Sequence, residues 1–498
     1  MQDQPATTSA PDLDVLVIGA GISGIHAAYQ LRTELPSLRF EVAEAHHSFG
    51  GTWLIHTYPG VRSDTEVYTL GYSFKPWTGA PYAGAAEIHA YLGELIAEHD
   101  LERSFTYNTM VEAASWSTAD QFWTVSLRDT VTNEVRTTTA RFIWSCHGYY
   151  THAAGHTPQW PGLEDYAGTL IHPQAWPERL DLSNQTVAVI GSGATMATLV
   201  PAIADQCASV TVVQRSPAYF FQSENRDPLA DQLRELGIDE TWIHEIIRRK
   251  AVKDMAAMTS VQFNHPELSK AGLIKMVADQ LPEGYDVETH FTPRHFPHEQ
   301  RVARILNGDL FRAISNGSVT MVTDEIATFT PTGLVTEGGT VVDADVVITA
   351  TGFDLSVLGG VAFTVDGQAV NVANSVTWRG VLFTGLPNVA WTFGALRLSW
   401  TMRAEMVNHL ITRLLSTMNA RGATSVAAVL RPEDVGMERQ PFIDPAQFNP
   451  GYAQRARALM PKGGTAAEWQ MDLDYWHEVT VLPDVDFTDG CLQFTSQS

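Results

Sequence analysis

The sequence predicts an α/β fold built on two Rossmann-like units, with a helical insertion after the second unit. A glycine-rich turn of one pattern occurs twice, at Gly19 and at Gly191, and each copy follows a run of apolar residues. A charged, methionine-containing stretch with helical spacing follows the second copy, at about 224–282. Strands that lead through glycine turns into helices are typical of parallel α/β sheets.

The first turn follows the apolar stretch 14–18 and begins the first predicted helix. Its glycines are Gly19, Gly21 and Gly24. Glycines at these positions allow a tight turn, close approach of a pyrophosphate to backbone N–H groups, and close helix–strand packing. The next predicted strand ends in Glu44. A carboxylate there accepts hydrogen bonds from the ribose hydroxyls of an adenosine that has no 2′-phosphate.

The second turn follows the apolar stretch 186–190, and the strand after it ends in the opposite charge. The small and polar residues of this turn are Gly191, Ser192, Gly193 and Thr195. The next strand ends in Arg215 and Ser216. A guanidinium pairs bidentately with phosphate oxygens and therefore suits a 2′-phosphate. The two units together predict two dinucleotides, FAD in the first and NADPH in the second.

Met196 departs from the pattern of the second turn. It stands where close packing of helix on strand favours Gly or Ala. A long side chain at that position predicts local overpacking. We therefore expect Met196→Ala to tighten NADPH binding or to raise the melting temperature.

The composition restricts the partners and the cellular location. A net charge of −24 without a Lys/Arg run argues against nucleic acid and against an anionic membrane surface. No apolar stretch is long enough for a membrane span and no signal peptide is evident, so we expect a cytoplasmic protein. Three cysteines without a CxxC motif indicate a reducing compartment and no local redox dithiol. The histidines show no metal-binding spacing, and no metal site is expected.

A chain of 498 residues is too long for one core. We expect an α/β protein with two Rossmann-like dinucleotide-binding domains, one for FAD and one for NADP. The predicted segments are a disordered tail over 1–12, a first FAD-binding segment over 13–154, an NADP-binding domain with the helical insert over 155–355, and a second FAD-binding segment with a C-terminal cover over 356–498. The sequence does not decide the oligomeric state.

Two longer motifs resemble those of a known family. Between the two units lies Tyr166-Ala-Gly168-Thr-Leu-Ile-His172-Pro-Gln-Ala-Trp176-Pro177. It resembles the fingerprint of the type I Baeyer–Villiger monooxygenases, with Tyr in place of the first Phe. The stretch 50–64, which ends in Asp64, resembles the family's motif beside the flavin. With the segments 285–311, 350–352 and 399–401, the chain resembles the ethionamide-activating branch of these flavin-containing monooxygenases over residues 12–490.

The resemblance implies an NADPH- and O2-dependent flavoprotein that turns ketones into esters or lactones and also oxidises sulfides. Its partners would be a small ketone or sulfide and O2. Arg301 would be the catalytic cation that stabilises a C4a-peroxyflavin, because preorganised charge is usually the largest contribution in such a site. Asp64 would orient Arg301. His172 and Trp176 would position the domain junction rather than take part in the chemistry.

The resemblance also implies further contacts with cofactor and substrate. The expected cofactor contacts are Gly51, Thr52, Trp53 and Asp64 for the first dinucleotide, and Thr351 and Gly352 at the junction. The expected substrate pocket is formed by Phe393, Leu396, Leu398 and Trp400. Residues 395–398 replace a stretch that contains Tyr and Asn in this branch, so the departure bears on substrate range. A second departure is His147, where the branch has Ser.

Three other functions are compatible with two dinucleotide units. One is a hydroxylating flavin monooxygenase that oxidises nitrogen or sulfur nucleophiles. The second is a flavin reductase or disulfide oxidoreductase, and the third is a redox-sensing flavoprotein without catalysis. The Trp-Pro ending of the fingerprint and Arg301 argue against the first, and the missing CxxC motif argues against a disulfide oxidoreductase.

Overall fold

The computed structural model describes residues 10–496 of the protein. Its N-terminal part contains six strands and four helices. The strands are β1 (Leu13–Ile18), β2 (Phe40–Ala43), β3 (Phe105–Thr106), β4 (Thr109–Ser117), β5 (Phe122–Asp129) and β6 (Val135–Ser145). The helices are α1 (Ile22–Glu34), α2 (Thr52–Ile55), α3 (Val67–Leu70) and α4 (Ala85–Glu98). Strands β5 and β6 form an antiparallel hairpin.

The middle of the chain contains twelve strands and six helices. The strands are β7 (Tyr150–Gly155), β8 (Thr169–Ile171), β9 (Thr186–Ile190), β10 (Ser209–Gln214), β11 (Phe220–Ser223), β12 (Ala303–Leu306), β13 (Val319–Thr323), β14 (Ile326–Thr330), β15 (Gly333–Thr336), β16 (Val341–Asp343), β17 (Val346–Thr349) and β18 (Phe353–Leu355). The helices are α5 (Ala194–Ile203), α6 (Pro228–Glu235), α7 (Glu240–Asn264), α8 (Pro266–Ala278), α9 (Val287–Phe291) and α10 (Asp309–Ser315).

The last third of the described chain contains nine strands and three helices. The strands are β19 (Ala362–Val365), β20 (Gln368–Ala369), β21 (Thr377–Trp378), β22 (Leu382–Phe383), β23 (Leu386–Trp391), β24 (Ser425–Ala428), β25 (Gln440–Pro441), β26 (Lys462–Gly463) and β27 (Leu492–Thr495). The helices are α11 (Trp400–Arg421), α12 (Gly451–Ala456) and α13 (Tyr475–Val481). Short 3₁₀ helices lie at Glu102–Ser104, Leu163–Asp165, Pro173–Ala175, Leu358–Gly360, Val372–Asn374, Ala467–Trp469 and Leu482–Asp484.

The first sheet has eleven strands and draws them from both ends of the described chain. Strand β1 pairs in parallel with β2 and β6 at its centre. Strand β23 pairs in parallel with β6, and β19 pairs in parallel with β4. The last third of the chain therefore returns to the sheet of the first Rossmann unit.

The second sheet has five parallel strands in the order β13-β10-β9-β17-β8. The carboxyl ends of parallel strands meet at one edge, which is where such sheets bind ligands. The turn that follows β9 and the residues that follow β10 and β17 share that edge. The antiparallel pair β7–β18 connects the two sheets.

The side chains of β1 point alternately into two hydrophobic cores, one on each face of the first sheet. Val15 and Val17 belong to one hydrophobic core, and Leu16 and Ile18 belong to the other. Successive strand side chains point to opposite faces, so both faces of this sheet are covered. Helix α1 covers one of them.

The predicted helical insert is confirmed as α6, α7 and α8. Arg248 of α7 fastens the insert to the rest of the protein. Its Nη1 donates to the backbone oxygens of Tyr68 and Gly71 at 2.9 and 3.0 Å, and its Nη2 donates to Glu405 at 3.0 Å. The insert is therefore held against α3 and α11.

Polar contacts hold the N-terminal end of the described chain. Of the twelve residues predicted to be disordered, residues 1–9 lie outside the described part of the chain. Pro11 is buried, and its carbonyl accepts a hydrogen bond from Arg39 at 2.9 Å. Asp12 accepts hydrogen bonds from Thr139 of β6. The prediction of disorder is wrong for these two residues, because polar contacts hold them.

Every helix within residues 10–496 is too short or too polar to span a bilayer.

Candidate active site

A cavity of about 730 Å³ lies at the carboxyl ends of β1, β2 and β6. Its size is within the range of small-molecule and cofactor pockets, which is about 300–1,000 Å³. Ten predicted site residues line it: Gly19, Gly21, Glu44, Gly51, Thr52, Trp53, Asp64, Arg301, Leu398 and Trp400. The structure therefore brings most of the predicted first-dinucleotide contacts together with the predicted catalytic pair.

The glycines of the first turn are required by close backbone contacts. A Cβ on Gly24 would lie 1.8 Å from the carbonyl oxygen of Gly19. Gly19 has a φ of 98°, and a Cβ there would lie 2.8 Å from the carbonyl oxygen of Cys146. Gly21 precedes α1 and offers no side-chain cap. The first N–H groups of the helix are thus left for a ligand with negative charge.

Glu44 holds the first turn and also faces the cavity. It is buried, with its Oε2 accepting from the backbone N–H of Ala20 at 2.6 Å and its Oε1 from that of His46 at 2.9 Å. A carboxylate has about four lone-pair sites, so two remain for ribose hydroxyls. The same side chain can therefore fix the turn and bind a nucleoside.

Arg301 lies at the cavity wall and pairs with Asp64. Its Nη1 donates to Oδ2 of Asp64 at 3.1 Å, and its Nε donates to the carbonyl oxygen of Leu396 at 3.3 Å. None of the described residues provides a hydrogen-bond acceptor for Nη2. Protein surrounds the side chain of Arg301, and the 37% of it that is exposed faces the cavity.

The surroundings of Arg301 keep it charged. Burial lowers the pKa of Arg301, but Asp64 and the neighbouring tyrosines raise it more, so the pKa lies well above its ordinary value. The site therefore contains a permanent cation whose Nη2 is free to donate to a group in the cavity.

Aromatic side chains that the sequence analysis missed form another wall of the cavity. Tyr149 stacks on Trp400 with ring centroids 4.9 Å apart and donates to the hydroxyl of Tyr150 at 2.9 Å. Tyr452 lies against both tyrosines, and burial raises its pKa. Ser23 of α1 accepts a hydrogen bond from Trp400 Nε1 at 2.8 Å. The position of Tyr149 and Tyr150 directly after β6, at the ligand edge of the sheet, is the signal that could have identified them.

The four residues predicted to form the substrate pocket do not all line one cavity. Trp400 lines the first cavity, Leu398 lines both this cavity and a second one of about 600 Å³, and Leu396 lines the second. Phe393 lines neither. It is fully buried against Trp391 and Tyr149 and supports the aromatic wall from behind.

The second glycine turn is open to solvent. Gly191 has a φ of 134°, and a Cβ there would lie 2.3 Å from the carbonyl oxygen of Ala350. Gly193 is exposed, and a Cβ on it would have no heavy atom within 4 Å. Arg215 and Ser216 are exposed at the end of β10, near the turn that contains Ser192 and Thr195. A phosphate group can thus approach this turn from solvent.

His172 joins the fingerprint to the end of β17. Its Nδ1 accepts from the N–H of Gln174 at 3.1 Å, so Nε2 carries the proton and donates to the carbonyl oxygen of Gly352 at 3.1 Å. A Cβ on Gly155 would lie 1.8 Å from the imidazole ring. Burial lowers the pKa of His172 and favours the neutral ring. These contacts support a positioning role.

Thr351 and Gly352 take part in the same junction. Thr351 Oγ1 donates to the carbonyl oxygen of His156 at 2.5 Å, and the carbonyl oxygen of Gly352 also accepts from the N–H of His156 at 3.0 Å. Both residues therefore connect β17 to the segment after β7.

Met196 is fully buried in the core of the second unit, together with Ala197 and Leu199. Helix α5 begins directly after Gly193, as the pattern predicts, so the long side chain leaves the helix start in place. Full burial with the helix start in place favours a side chain that fills the core over the expected overpacking. Met196→Ala should lower the free energy of unfolding by about 2–5 kcal/mol, because it removes core contacts and leaves a cavity. Denaturant unfolding measures the change, and a more stable variant would restore the overpacking interpretation.

The cysteines do not provide a redox pair. Cys146, Cys207 and Cys491 are all free. Cys146 lines the first cavity, and burial raises its pKa to about 12, which keeps it a thiol rather than a reactive thiolate. Residues 10–496 contain no group of three or more His, Cys, Asp or Glu side chains placed to hold a metal ion.

Comparisons with known protein sequences find similarity over nearly the whole chain. Residues 13–274 match the pyridine nucleotide-disulphide oxidoreductase family. The chain is 39% identical over 487 residues to the FAD-containing monooxygenase EthA of Mycobacterium tuberculosis, covering 97% of this chain and 98% of the relative. It is 35% identical to the probable FAD-binding monooxygenase AlmA of Acinetobacter baylyi, covering 98% and 97%.

Solved structures show the same fold. A steroid monooxygenase bound to NADP superposes with a TM-score of 0.74 at 21% identity, covering 97% of this chain and 100% of that one. A cyclohexanone monooxygenase bound to ε-caprolactone has a TM-score of 0.74 at 22% identity, covering 97% and 99%. At these identities the likeness concerns the fold.

Proposed function

The chain belongs to the FAD-containing monooxygenases, and from this premise we propose that it is a Baeyer–Villiger monooxygenase that converts ketones into esters or lactones and also oxidises sulfides. Membership in the family makes it a flavoprotein monooxygenase. The finer reaction is supported by the geometry around Arg301.

FAD and NADPH are its cofactors, and the two turns fit them. The first turn fits the pyrophosphate and ribose of FAD, because it contains three glycines and lies beside the buried carboxylate of Glu44. The second turn, with exposed Gly193 and Arg215, fits NADPH. We assign FAD to residues 13–154 and 356–498 and NADP to 155–355, a division that the pairing of the two sheets supports. Once bound, the flavin supplies the transfer of electrons from NADPH to O2.

Arg301 carries the proposal of Baeyer–Villiger chemistry. Attack on a ketone carbonyl requires a deprotonated oxygen nucleophile, and a fixed cation beside the reacting oxygen favours that charge state. Asp64 pairs with the guanidinium of Arg301 and helps to keep it charged. The guanidinium also has N–H groups free to donate to a group in the cavity. We assign to Arg301 the stabilisation of negative charge on the reacting oxygen, once the flavin and O2 are bound. Asp64 is a positioning residue that acts through Arg301.

The aromatic wall and Leu398 limit the entry of water to the site. Tyr149 and Trp400 cover one side of the cavity with stacked rings. Excluding water strengthens the electrostatic effect of Arg301 and protects reactive oxygen from protonation. Leu398 borders both the first cavity and the second, and the substrate would lie on that side.

A panel of linear, cyclic and aryl ketones together with thioethers and amines tests the proposed reaction. We expect NADPH consumption to rise with ketones, and product analysis to find esters or lactones. Oxidation of thioethers and amines alone, with all ketones recovered, would establish the hydroxylating alternative instead.

Arg215 is expected to select NADPH over NADH. Arg215→Ala should weaken NADPH binding about ten- to a hundred-fold and leave NADH binding nearly unchanged, because a charge-assisted hydrogen bond contributes about 1.5–3 kcal/mol. Steady-state kinetics with both nucleotides measure the preference. Arg136→Ala, an exposed change on β6 in the other sheet, is the control and should keep it. An unchanged preference in Arg215→Ala would show that this residue does not contact the 2′-phosphate.

A further inference from the structure

The second cavity, which we call the distal cavity, lies next to the first. Three separate segments and Gln447 line it; the segments are the C-terminal half of α7, residues 394–403, and residues 471–478. Leu398 borders both cavities. A molecule whose reacting end lies beside Arg301 can therefore extend its other end into the distal cavity.

Arg397 lines the distal cavity with an unsatisfied group. Its Nη2 donates to the carbonyl oxygen of Leu473 at 2.8 Å, and its guanidinium lies 4.7 Å from the ring centroid of Phe263. Its Nη1 is buried and has no hydrogen-bond partner in the described part of the chain. A buried donor on a charged group is costly when unpaired, so its presence requires an explanation.

Trp476 lines the same cavity and carries a second unsatisfied donor. Its Nε1 is buried and also has no partner among residues 10–496. Trp476 sits on α13, whereas Arg397 precedes α11, so the two donors come from distant segments. Two residues that line one cavity thus each carry an unpaired donor, which a ligand with hydrogen-bond acceptors can satisfy when the side chain turns toward the cavity.

The acidic side chains around the distal cavity are already engaged. Asp472 pairs with His477 at 2.5 Å, and Asp474 caps α13 by accepting from the N–H of Trp476 at 3.0 Å. Glu478 pairs with Arg403 at 2.7 Å. No carboxylate within residues 10–496 forms an ion pair with Arg397; burial lowers the pKa of Arg397 by more than the nearby Asp474 and Asp472 raise it. Its positive charge is therefore available to an anionic ligand.

We propose that the distal cavity binds the carboxylate of the substrate, and that the preferred substrates are ketones with a carboxylate at the end remote from the carbonyl. Arg397 provides the charge-assisted hydrogen bond, and Trp476 provides a second N–H. The rest of the lining includes apolar side chains such as Phe263, Leu396 and Met471, which suit an alkyl chain between the two ends. This inference rests on the proposed function, because it places the ketone beside Arg301.

Equilibrium binding to the oxidised holoenzyme without NADPH tests the inference. The probes are medium-chain methyl ketones that end in a carboxylate and the same compounds as methyl esters, over several chain lengths. For at least one length, the wild-type protein should bind the acid about tenfold or more tightly than the ester, as expected for a charge-assisted contact. Arg397→Met should reduce this ratio to near one, and Arg397→Lys should retain part of it.

Arg249→Met is the matched control. Arg249 is an exposed arginine of α7 that pairs with Glu245, and its loss should leave the ratio at the wild-type value. If Arg397→Met fails to fold, as judged by melting temperature and flavin content, the wild-type ratio and Arg397→Lys decide the question. Equal binding of acid and ester by the wild-type protein, or an unchanged ratio in Arg397→Met, overturns the inference.

Product analysis separates this inference from the proposed function. If the acid binds selectively but ketones yield only hydrogen peroxide, the Baeyer–Villiger proposal fails and the carboxylate site stands. If neutral ketones yield esters while the wild-type protein does not distinguish acid from ester, the carboxylate site fails and the proposed function stands.

Discussion

Arg301→Ala is expected to keep FAD bound and to lose ketone oxygenation by at least about 10²–10³-fold, the usual effect of removing one preorganised stabilising group. The side chain contacts Asp64 and one backbone carbonyl at the cavity wall, outside the strands and helices, so the fold should persist. NADPH oxidation should continue at a reduced rate and release hydrogen peroxide. Ester yield and peroxide yield per NADPH consumed measure the uncoupling.

Asp64→Ala should give a milder form of the same result. The carboxylate acts by orienting Arg301, so the cation remains in the cavity when Asp64 is removed. Comparing the two variants distinguishes a group that stabilises the reacting oxygen from a group that positions it. A fully coupled Arg301→Ala enzyme that still forms ester would refute the role assigned to Arg301.

Gly24→Ala is expected to abolish FAD binding and to destabilise the first unit severely. The new Cβ would lie 1.8 Å from the carbonyl oxygen of Gly19, a backbone atom that cannot move without breaking the turn. Such a clash shifts α1 away from β1, and the start of α1 is where the pyrophosphate is expected to bind. Flavin content per chain and melting temperature measure the effect.

Gly193→Ala is the matched control in the second turn. A Cβ at Gly193 would have no heavy atom within 4 Å, and the φ of −87° suits alanine. This variant should fold and keep its FAD, and any loss should be confined to NADPH. A Gly24→Ala protein with a wild-type flavin content would show that the contact at the first turn is not critical.

The sequence predicted the fold well where local patterns determine it. The turn at Gly19 sets the end of β1 and the start of α1 within a few residues, and the helical spacing at about 224–282 located the helices of the insert. The consequences of Met196 were not predictable in the same way. Whether a long side chain overpacks or fills a core depends on the space between α5 and the sheet, which no local pattern records.

The candidate site was predictable only in part, for a similar reason. Glu44 and the glycines of the first turn belong to one short motif, and the structure places them around one cavity. Trp476 comes from the last segment of the chain and lines the second cavity only through tertiary packing, and Tyr452 of the same segment packs against Tyr149. Phe393 shows the converse case. It is close in sequence to the residues that line the cavities, but it is buried behind the aromatic wall.

Oxidation of a methyl ketone by the wild-type enzyme with isotopically labelled O2 tests the central claim most directly. A Baeyer–Villiger monooxygenase inserts one oxygen atom of O2 next to the carbonyl and reduces the other to water. We therefore expect one labelled oxygen per ester, in the bridging position, and one NADPH consumed per ester formed. Recovery of unchanged ketone, with all of the NADPH accounted for by labelled hydrogen peroxide, would contradict the claim.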